Sequence, residues 1–459
     1  MGLTRMRTVL ALLLTAPGLF GAGWEAALQR GLDHFRAGDC ESSLRELAAA
    51  VAGNHEIAQA HLAIAICETR LGRPDRATAS FEQVAKLRPQ DWQAWNNLGA
   101  NLIETGKPEK ALPAFQQAAR LNAGDELVWF NVGSTLLSLR KNEESFQALS
   151  QARKIAQQDP EIEAAWQAAA SRAAEDAHEM FGREQYAEAK TVLSAVQPAL
   201  KDSGAWNNLF GQIEFKLNQP ESALQHLQRA LELEPDNEQF LVDIGQFLIH
   251  YRAFSAALSM FEVGRERFPS SVHVKFLLAL AYILEERRPA GIEVLKQILA
   301  VDKEFEPAYK ALGECYEQDR DGNALIALGE QFIDIRQASA TGYYLKGMGH
   351  LRLATDNRTS MLPAIEALQK AVELEPGVSD RHFTLGKAFQ WEEKYDQAIK
   401  ELKKAIRLDP QHDRAHYVLA TLYRRTGSRE LAAEELKIHQ SLPKRVPRGI
   451  RLLVDVQPR

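Results

Sequence analysis

The chain has 459 residues, of which 45% are hydrophobic and 25% charged, and its formal net charge is −6. This composition excludes global disorder, and the nearly balanced charge does not indicate a nucleic-acid-binding surface. A chain of this length ordinarily predicts two or three globular domains, unless it is built from repeats that extend one core along a single direction.

The segment from Met1 to Gly23 differs from the rest of the chain. Two arginines precede an apolar run from Val9 to Phe20, and small residues occupy positions 21–23. This order is typical of a secretory signal peptide. The run is shorter than the roughly 20 residues that a membrane-spanning helix needs. We therefore predict a secreted or periplasmic protein with no stable membrane span after cleavage, and an uncleaved N-terminal anchor is the alternative.

The segment from Ala94 to Ala123 predicts two amphipathic helices joined by a turn. Apolar or small residues recur at helical spacing in two sets: Trp95, Leu98, Gly99 and Leu102, then Ala111, Phe115 and Ala118. Residues 106–108 (Gly-Lys-Pro) break the pattern, and proline is tolerated at the start of the second helix. Neither helix can bury its apolar face alone, so the pair needs neighbours stacked against it.

The same pattern recurs through most of the chain with a fixed period, which is the distance along the sequence from His61 to Trp95. We call the place of Trp95 in its repeat the reference position. The residues at this position form three in-phase runs: Ala27, His61, Trp95 and Trp129; then Asn207, Leu241, Lys275 and Tyr309; then His382 and His416. The first gap between runs exceeds two periods by ten residues and the second by five, which predicts longer helices or loops there. The chain has room for about twelve helical pairs.

This pattern resembles the tetratricopeptide repeat (TPR) family, whose motif is W-x2-L-G-x2-Y, then A-x3-F, then P. Matches are Trp95, Leu98, Gly99, Ala111 and Phe115; Leu241, Ile244, Gly245, Ala257, Phe261 and Pro269; and His382, Leu385, Gly386, Phe389, Ala398 and Pro410. The resemblance covers roughly residues 24–443. It implies an all-α, right-handed superhelical TPR solenoid of about twelve helix-turn-helix repeats.

The predicted organisation in chain order is a signal peptide at 1–23, TPR repeats 1–4 at 24–160, a degenerate helical repeat at 161–203, TPR repeats 6–9 at 204–340, a repeat with an insertion at 341–378, TPR repeats 11–12 at 379–443, and a basic tail at 444–459. The excess length of the degenerate repeat is expected to extend one helix. The insertion, Thr355–Ser360, is expected to be a polar turn. The tail is expected to pack over the last repeat, or alternatively to add a strand to the sheet edge of a partner.

Small residues are expected to let the helices approach closely at Gly99, Gly133, Gly245, Gly313 and Gly386, where a larger side chain would overpack the crossing.

The three cysteines, Cys40, Cys67 and Cys315, are too few for a disulfide framework. Cys67 and Cys315 occupy equivalent places, six residues after the reference position, and are predicted to be small buried residues. Export would permit a disulfide, so a Cys40–Cys67 bridge between neighbouring repeats is an open alternative.

The sequence contains no phosphate-binding, nucleophile-elbow, metalloprotease or paired-cysteine motif. We therefore predict no catalytic residue, no metal site and no cofactor. His61, His382 and His416 are expected to pack as half-buried rings. Acidic pairs such as Glu434 and Glu435 are expected on solvated helix faces, where nothing raises their pKa.

The resemblance implies a binding groove lined by the first helices of the pairs. Exposed groove positions are expected one, five and eight residues after the reference position. The candidate partner-binding residues are Asn96, Phe130, Asn208, Gln212, Val242, Phe276, Lys387, Tyr417 and Arg424. The amino-terminal half also contributes Leu28, Leu32, Leu62, Ile66, Ile103 and Leu137, which would be core residues if the register were off by one.

These features predict an exported, non-enzymatic protein–protein interaction scaffold that binds a protein or peptide partner, as an extended segment or a helix, and binds no nucleic acid. An adaptor or regulatory subunit for cell-envelope biosynthesis or glycan recognition is the alternative. Self-association through the end repeats is a third possibility, because weakly capped repeats expose apolar faces.

Overall fold

The computed structural model describes residues 23–357 and 361–442. Residues 1–22 of the predicted signal peptide and the predicted tail lie outside the described residues. The described residues form 24 α-helices and no strand. The described residues divide into two compact units, unit 1 up to His226 and unit 2 from Leu227, and the boundary falls within the twelfth helix.

The helices up to the boundary are α1 (Gly23–Arg36), α2 (Cys40–Gly53), α3 (Ala58–Arg70), α4 (Pro74–Leu87), α5 (Trp92–Glu104), α6 (Pro108–Leu121), α7 (Glu126–Ser138), α8 (Asn142–Ile155), α9 (Pro160–Gly182), α10 (Tyr186–Leu200), α11 (Gly204–Lys216) and α12 (Pro220–Leu233). Those of the second unit are α13 (Glu238–His250), α14 (Phe254–Arg267), α15 (Val272–Leu284), α16 (Arg288–Val301), α17 (Glu306–Gln318), α18 (Gly322–Ile335), α19 (Ala340–Asn357), α20 (Leu362–Leu374), α21 (Ser379–Trp391), α22 (Tyr395–Leu408), α23 (Asp413–Arg425) and α24 (Arg429–Ser441).

Within each unit the helices form stacked pairs. The two helices of a pair pack against each other, and the second helix also packs against the first helix of the next pair, as α2 does against α3 and α14 against α15. The predicted all-α solenoid of about twelve helix-turn-helix repeats is therefore confirmed. The stack buries apolar side chains in successive clusters along each unit, as expected for repeats that cannot fold singly.

The predicted glycine contacts hold the two helices of a pair together. A Cβ atom built at Gly99 would lie 2.7 Å from the ring of Phe115, and one at Gly133 would lie 2.5 Å from the Leu149 side chain. In both cases the partner lies on the second helix of the same pair. Gly313 differs, because its Cβ would meet Leu345 of the next pair.

Seven of the ten side chains at the reference position hydrogen-bond to the backbone carbonyl oxygen six residues earlier. All seven carry an N–H or O–H group that can donate, whereas Ala27 and Leu241 have none. The donors and acceptors are His61 with His55 (3.0 Å), Trp95 with Pro89 (3.0 Å), Trp129 with Ala123 (3.0 Å), Asn207 with Lys201 (2.8 Å), Tyr309 with Lys303 (3.0 Å), His382 with Pro376 (2.9 Å) and His416 with Pro410 (3.1 Å). In these seven repeats the bond satisfies a carbonyl in the turn that precedes the first helix.

Trp129→Phe tests this role. The phenylalanine ring keeps most of the packing but cannot donate to the Ala123 carbonyl, so we expect the free energy of unfolding to fall by about 1–2 kcal/mol. Urea unfolding followed by circular dichroism measures the change. Trp391→Phe is the control, because the Trp391 ring is 54% exposed and should be replaceable at almost no cost. Equal losses in the two variants would contradict the assigned role.

Both interruptions of the period lie in first helices. Helix α9 has 23 residues and α19 has 18, whereas α3, α5 and α17 each have 13. The excess lengths equal the ten- and five-residue remainders, so the longer helix expected in the degenerate repeat is α9. The expected turn at Thr355–Ser360 is wrong for its first three residues, because α19 continues to Asn357; residues 358–360 lie outside the described residues.

Candidate functional site

Five of the predicted partner-binding residues are buried. Asn96, Phe130, Asn208, Val242 and Phe276 are between 0% and 7% exposed, so the expected exposure is wrong at these positions. All five lie one residue after the reference position. A ligand could reach their side chains only if neighbouring groups moved.

The cause of this burial is the neighbouring first helix. The Asn131 Nδ2 atom of α7 donates to the Asn96 Oδ1 atom of α5 at 2.8 Å, and both residues are fully buried. In the second unit, Phe276 packs edge-to-face against Phe305, which precedes α17, with ring centroids 5.4 Å apart. At Asn96 and Phe276 the side chain one residue after the reference position thus contacts the next pair and joins successive repeats.

The other four predicted residues are accessible to different degrees. Gln212 and Lys387 are half-buried, and Tyr417 and Arg424 are exposed. The Lys387 ammonium lies 5.9 Å from the ring centroid of Phe383, within reach of a cation–π interaction. Binding of a partner at these four residues stays a prediction.

A row of large apolar side chains remains half-buried on the first helices of unit 1, and we call it the first-helix strip. Its members lie one, five or eight residues after the reference position, which places them on one helical stripe: Leu28 of α1, Leu62 and Ile66 of α3, Ile103 of α5 and Leu137 of α7. Leu32 is 6% exposed and belongs to the core. The alternative that these apolar residues are core therefore holds fully for Leu32, and the other five pack against the core clusters while keeping part of their surface exposed.

A second surface feature, the α8–α10 notch, lies where α9 is extended. It is a cavity of about 1000 Å³ lined by the last turns of α8, the first turns of α9 and the last turns of α10. Helix α10 starts at the far end of the extended α9 and runs back along it. Because α10 is shorter than α9, it ends before it covers the beginning of α9. The ten-residue remainder in the sequence was the only signal of this notch.

The floor of the notch is a fixed aromatic cluster. The Trp166 Nε1 atom donates to Ser150 Oγ at 2.8 Å, and its ring stacks on Phe146 with centroids 5.2 Å apart. The Arg153 guanidinium covers the Trp166 ring at 4.1 Å and pairs with Glu163 at 2.5 Å. Trp166 is 3% exposed, so the side chains that meet solvent around it are polar: Gln147, Gln151, Lys154, Gln157 and Gln158.

A buried acid in α11 was not predicted from the sequence. Glu214 is 2% exposed and accepts hydrogen bonds from Ser222 Oγ (2.6 Å), Lys190 Nζ (2.9 Å) and His226 Nδ1 (2.8 Å). Burial alone raises the pKa of the Glu214 carboxyl, but these donors together outweigh it and hold the pKa below its ordinary value. The donors come from α10 and α12, so the carboxylate joins three helices.

The predicted solvated position of Glu435 is also wrong. Its carboxylate lies 2.5 Å from His416 Nδ1, and Glu401 pairs in the same way with His382 Nδ1 at 2.6 Å. In both pairs the acid belongs to the second helix of the same repeat as the histidine. The two histidines are 3–4% exposed, more deeply buried than the half-buried rings that the sequence predicts.

Within the described ranges, no group of three or more His, Cys, Asp or Glu side chains is arranged to hold a metal ion. A search of the same residues for a helix both long enough and apolar enough to span a membrane finds none.

Models of known protein families match this chain along its repeats. Models described as tetratricopeptide repeat match residues 28–91, 69–126, 97–160 and 214–281, and one described as TPR repeat matches residues 392–427. Together these matches cover about half of the chain.

Two curated relatives are each 25% identical to part of the chain. Anaphase-promoting complex subunit 3 of Schizosaccharomyces pombe aligns over 150 residues, 32% of this chain and 22% of that protein. Superkiller complex protein 3 of Mus musculus aligns over 176 residues, 38% of this chain and 11% of that protein. The chain thus spans about a fifth and about a tenth of the lengths of these relatives.

Solved structures with a similar arrangement include the APC/C hetero-tetramer Cut9–Hcn1 and yeast Tom70. Each is 12% identical; the TM-scores are 0.41 and 0.43. The Cut9–Hcn1 match covers 95% of this chain and 96% of that chain, and the Tom70 match covers 94% of both chains. The repeat period, the stacked helical pairs and the matches along half of the sequence lead to one conclusion: the chain belongs to the tetratricopeptide repeat family.

Proposed function

We propose that this protein is a non-enzymatic scaffold that binds a protein partner, as an extended peptide or a helix, along the first-helix strip of unit 1. The observation that carries the proposal is the strip itself. Five large apolar side chains on four successive first helices keep part of their surface exposed to solvent. Apolar surface that stays accessible on successive helices favours an interaction site.

The stacked helices also favour binding energetically. The strip residues are held by helices that pack on both sides, so little conformational entropy is lost on the scaffold side when a partner binds. A partner with apolar side chains at helical or extended spacing can bury them against Leu62, Ile66, Ile103 and Leu137 in turn. The affinity then comes from several modest contacts rather than from one deep pocket.

The relatives support a role in assembly. One is by name a subunit of the anaphase-promoting complex and the other a protein of the superkiller complex. Both names describe proteins that act within larger assemblies, and the shared repeats are compatible with a scaffold that holds other proteins. The signal-like segment from Met1 to Gly23 supports an exported location for this chain.

The experiment compares partner capture by the full chain and by two triple variants, using an extract of the source cells. The test variant, Ile66→Gln/Ile103→Gln/Leu137→Gln, makes the strip polar. Each lost apolar contact should cost about 1 kcal/mol, so binding of a captured protein should weaken on the order of 100-fold. The dissociation constant is then measured by titrating the identified partner.

The control variant is Ile155→Gln/Val263→Gln/Val301→Gln. These three apolar residues are 38%, 60% and 75% exposed and lie on second helices, whereas the strip lies on first helices. We expect the control to bind as the unmodified chain does. Equal capture by both variants would overturn the assignment of the strip. Retention of a glycan rather than a protein would instead favour the glycan-recognition alternative.

A further inference from the structure

Two cysteines meet in the core between the first two helical pairs. Cys40 is the first residue of α2 and Cys67 lies in the last turns of α3, and their exposed fractions are 6% and 0%. Both belong to the same apolar cluster, and both are free thiols in this structure. Helices α2 and α3 pack directly against each other, so the two cysteines of this cluster are neighbours across the helix contact. We propose that Cys40 and Cys67 form a disulfide bond that joins the first two helical pairs when the chain folds in an oxidising compartment.

The repeat itself gives independent evidence that these two places adjoin. One period later, the places of Cys40 and Cys67 are occupied by Pro74 and Asn101. The Asn101 Nδ2 atom donates to the Pro74 carbonyl oxygen at 3.0 Å, and its Oδ1 atom accepts from Thr78 Oγ1 at 2.7 Å. A side chain six residues after the reference position therefore points at the start of the preceding second helix.

The third cysteine shows what happens at this place without a partner thiol. Cys315 also lies six residues after a reference position, and the place that corresponds to Cys40 is occupied there by Arg288 rather than cysteine. Cys315 is 2% exposed, and Arg288 is close enough to influence the pKa of its thiol. Cys315 is therefore a matched control for burial and location that has no cysteine at the facing place.

Burial decides when the bond can form. Burial raises the pKa of the Cys67 thiol to about 12, and the neighbouring Cys40 thiol acts in the same direction. The thiolate is the species that attacks a disulfide, so exchange is slow once the two helices have packed. The bond is therefore expected to form during folding, and packing then shields it from reduction.

The reaction needs an external disulfide as oxidant. One cysteine thiolate attacks the oxidant and forms a mixed disulfide, releasing one thiolate of the oxidant. The second cysteine then attacks the mixed disulfide, forming the Cys40–Cys67 bond and releasing the other thiol. Two protons and two electrons leave the protein, and one oxidant disulfide becomes two thiols. Oxidised glutathione or a thiol–disulfide oxidoreductase supplies this chemistry.

The bond would act at one end of the described array. Helices α1 and α2 form the first described pair and pack against one neighbouring pair, whereas internal pairs pack against two. A covalent link from α2 to α3 closes the loop of chain between the two cysteines and limits the opening of this end pair.

The test refolds the full chain with a mixture of oxidised and reduced glutathione. After refolding, the chain is denatured, its free thiols are alkylated, and the products are identified by mass spectrometry before and after reduction. We expect one alkylated cysteine, Cys315, and a linked peptide pair containing Cys40 and Cys67 that separates on reduction. Amide hydrogen exchange in α1 and α2 should be about tenfold slower in the oxidised chain than in the reduced chain.

Three variants make the result specific. Cys315→Ser should keep the linked peptides, whereas Cys40→Ala and Cys67→Ala should each abolish them and remove the effect of reduction on hydrogen exchange. Alkylation of all three cysteines after refolding would overturn the proposal. So would a linkage between two chains, or a linkage that includes Cys315. None of these outcomes depends on whether the first-helix strip binds a peptide.

Discussion

Replacing Gly329 with alanine is expected to destabilise unit 2 by about 3 kcal/mol or more, since the added methyl group meets backbone rather than side chain. A Cβ atom at Gly329 would lie 2.6 Å from the carbonyl oxygen of Gly342 and 2.6 Å from the amide nitrogen of Lys346. At Gly99 the nearest atom belongs to the Phe115 ring, which can rotate away. Helices α18 and α19 cannot yield in that way without separating.

A second glycine contact makes the α18–α19 crossing still less tolerant. A Cβ atom at Gly349 of α19 would lie 2.6 Å from the carbonyl oxygen of Gly322 in α18. Gly322 and Gly329 are seven residues apart on one helix, and Gly342 and Gly349 are seven apart on the other, so the two backbones approach over two turns. Any shift that relieves the clash at Gly329 must also disturb the contact at Gly349.

Urea unfolding, together with hydrogen exchange of peptides from α18 and α19, measures the effect of Gly329→Ala. Gly182→Ala is the matched control: Gly182 ends α9, and a Cβ atom there would meet no other atom within 4 Å. Alanine is also the better helix former, so this control should be neutral or slightly stabilising. A loss at Gly329 no greater than that at Gly182 would contradict the backbone-contact argument.

Replacing Glu214 with glutamine is expected to lower the unfolding free energy of unit 1 by about 2–3 kcal/mol at neutral pH. The carboxylate accepts from Ser222, Lys190 and His226, and the side chain is 3% exposed. A glutamine amide keeps the shape but removes the negative charge facing Lys190. Its NH₂ group would also point a donor at one of the existing donors.

The same substitution should reduce the acid sensitivity of unit 1. The pKa of Glu214 is lowered in the folded chain relative to its ordinary value. The folded state therefore binds the proton less readily than the unfolded state, so the carboxylate stabilises the fold above the ordinary pKa. That contribution is lost as the pH falls through the lowered folded value. The variant should lose less stability than the unmodified chain over this acidic range.

Unfolding free energies measured between about pH 3 and pH 7 test this slope. Glu188→Gln is the control, because Glu188 is exposed on α10 in the same unit. We expect the control to follow the pH profile of the unmodified chain. Identical pH profiles for the Glu214 variant and the unmodified chain would show that this carboxylate does not contribute to acid unfolding.

The period of the sequence predicted the repeating parts of the fold because those parts depend on local geometry. Helical spacing identified the reference position, the close-contact glycines such as Gly99 and Gly133, and the number of helical pairs. The ten- and five-residue remainders indicated where extra length lies, and both remainders are extra turns of first helices. These properties follow from which residues share a face of one helix and from where a helix must end.

The sequence by itself therefore determined the repeat, the pairing and the composition of each helix face, including the apolar strip from Leu28 to Leu137. The tertiary structure decided whether a position at the edge of a face is covered, as Asn96 is by α7, and which distant side chains meet, as Cys40 and Cys67 do. It also decided that α18 and α19 touch backbone to backbone and that α10 leaves a notch beside α9. The period specifies directions around one helix axis, whereas coverage depends on the distance and tilt of the next helix, which are set by packing among residues far apart in the chain.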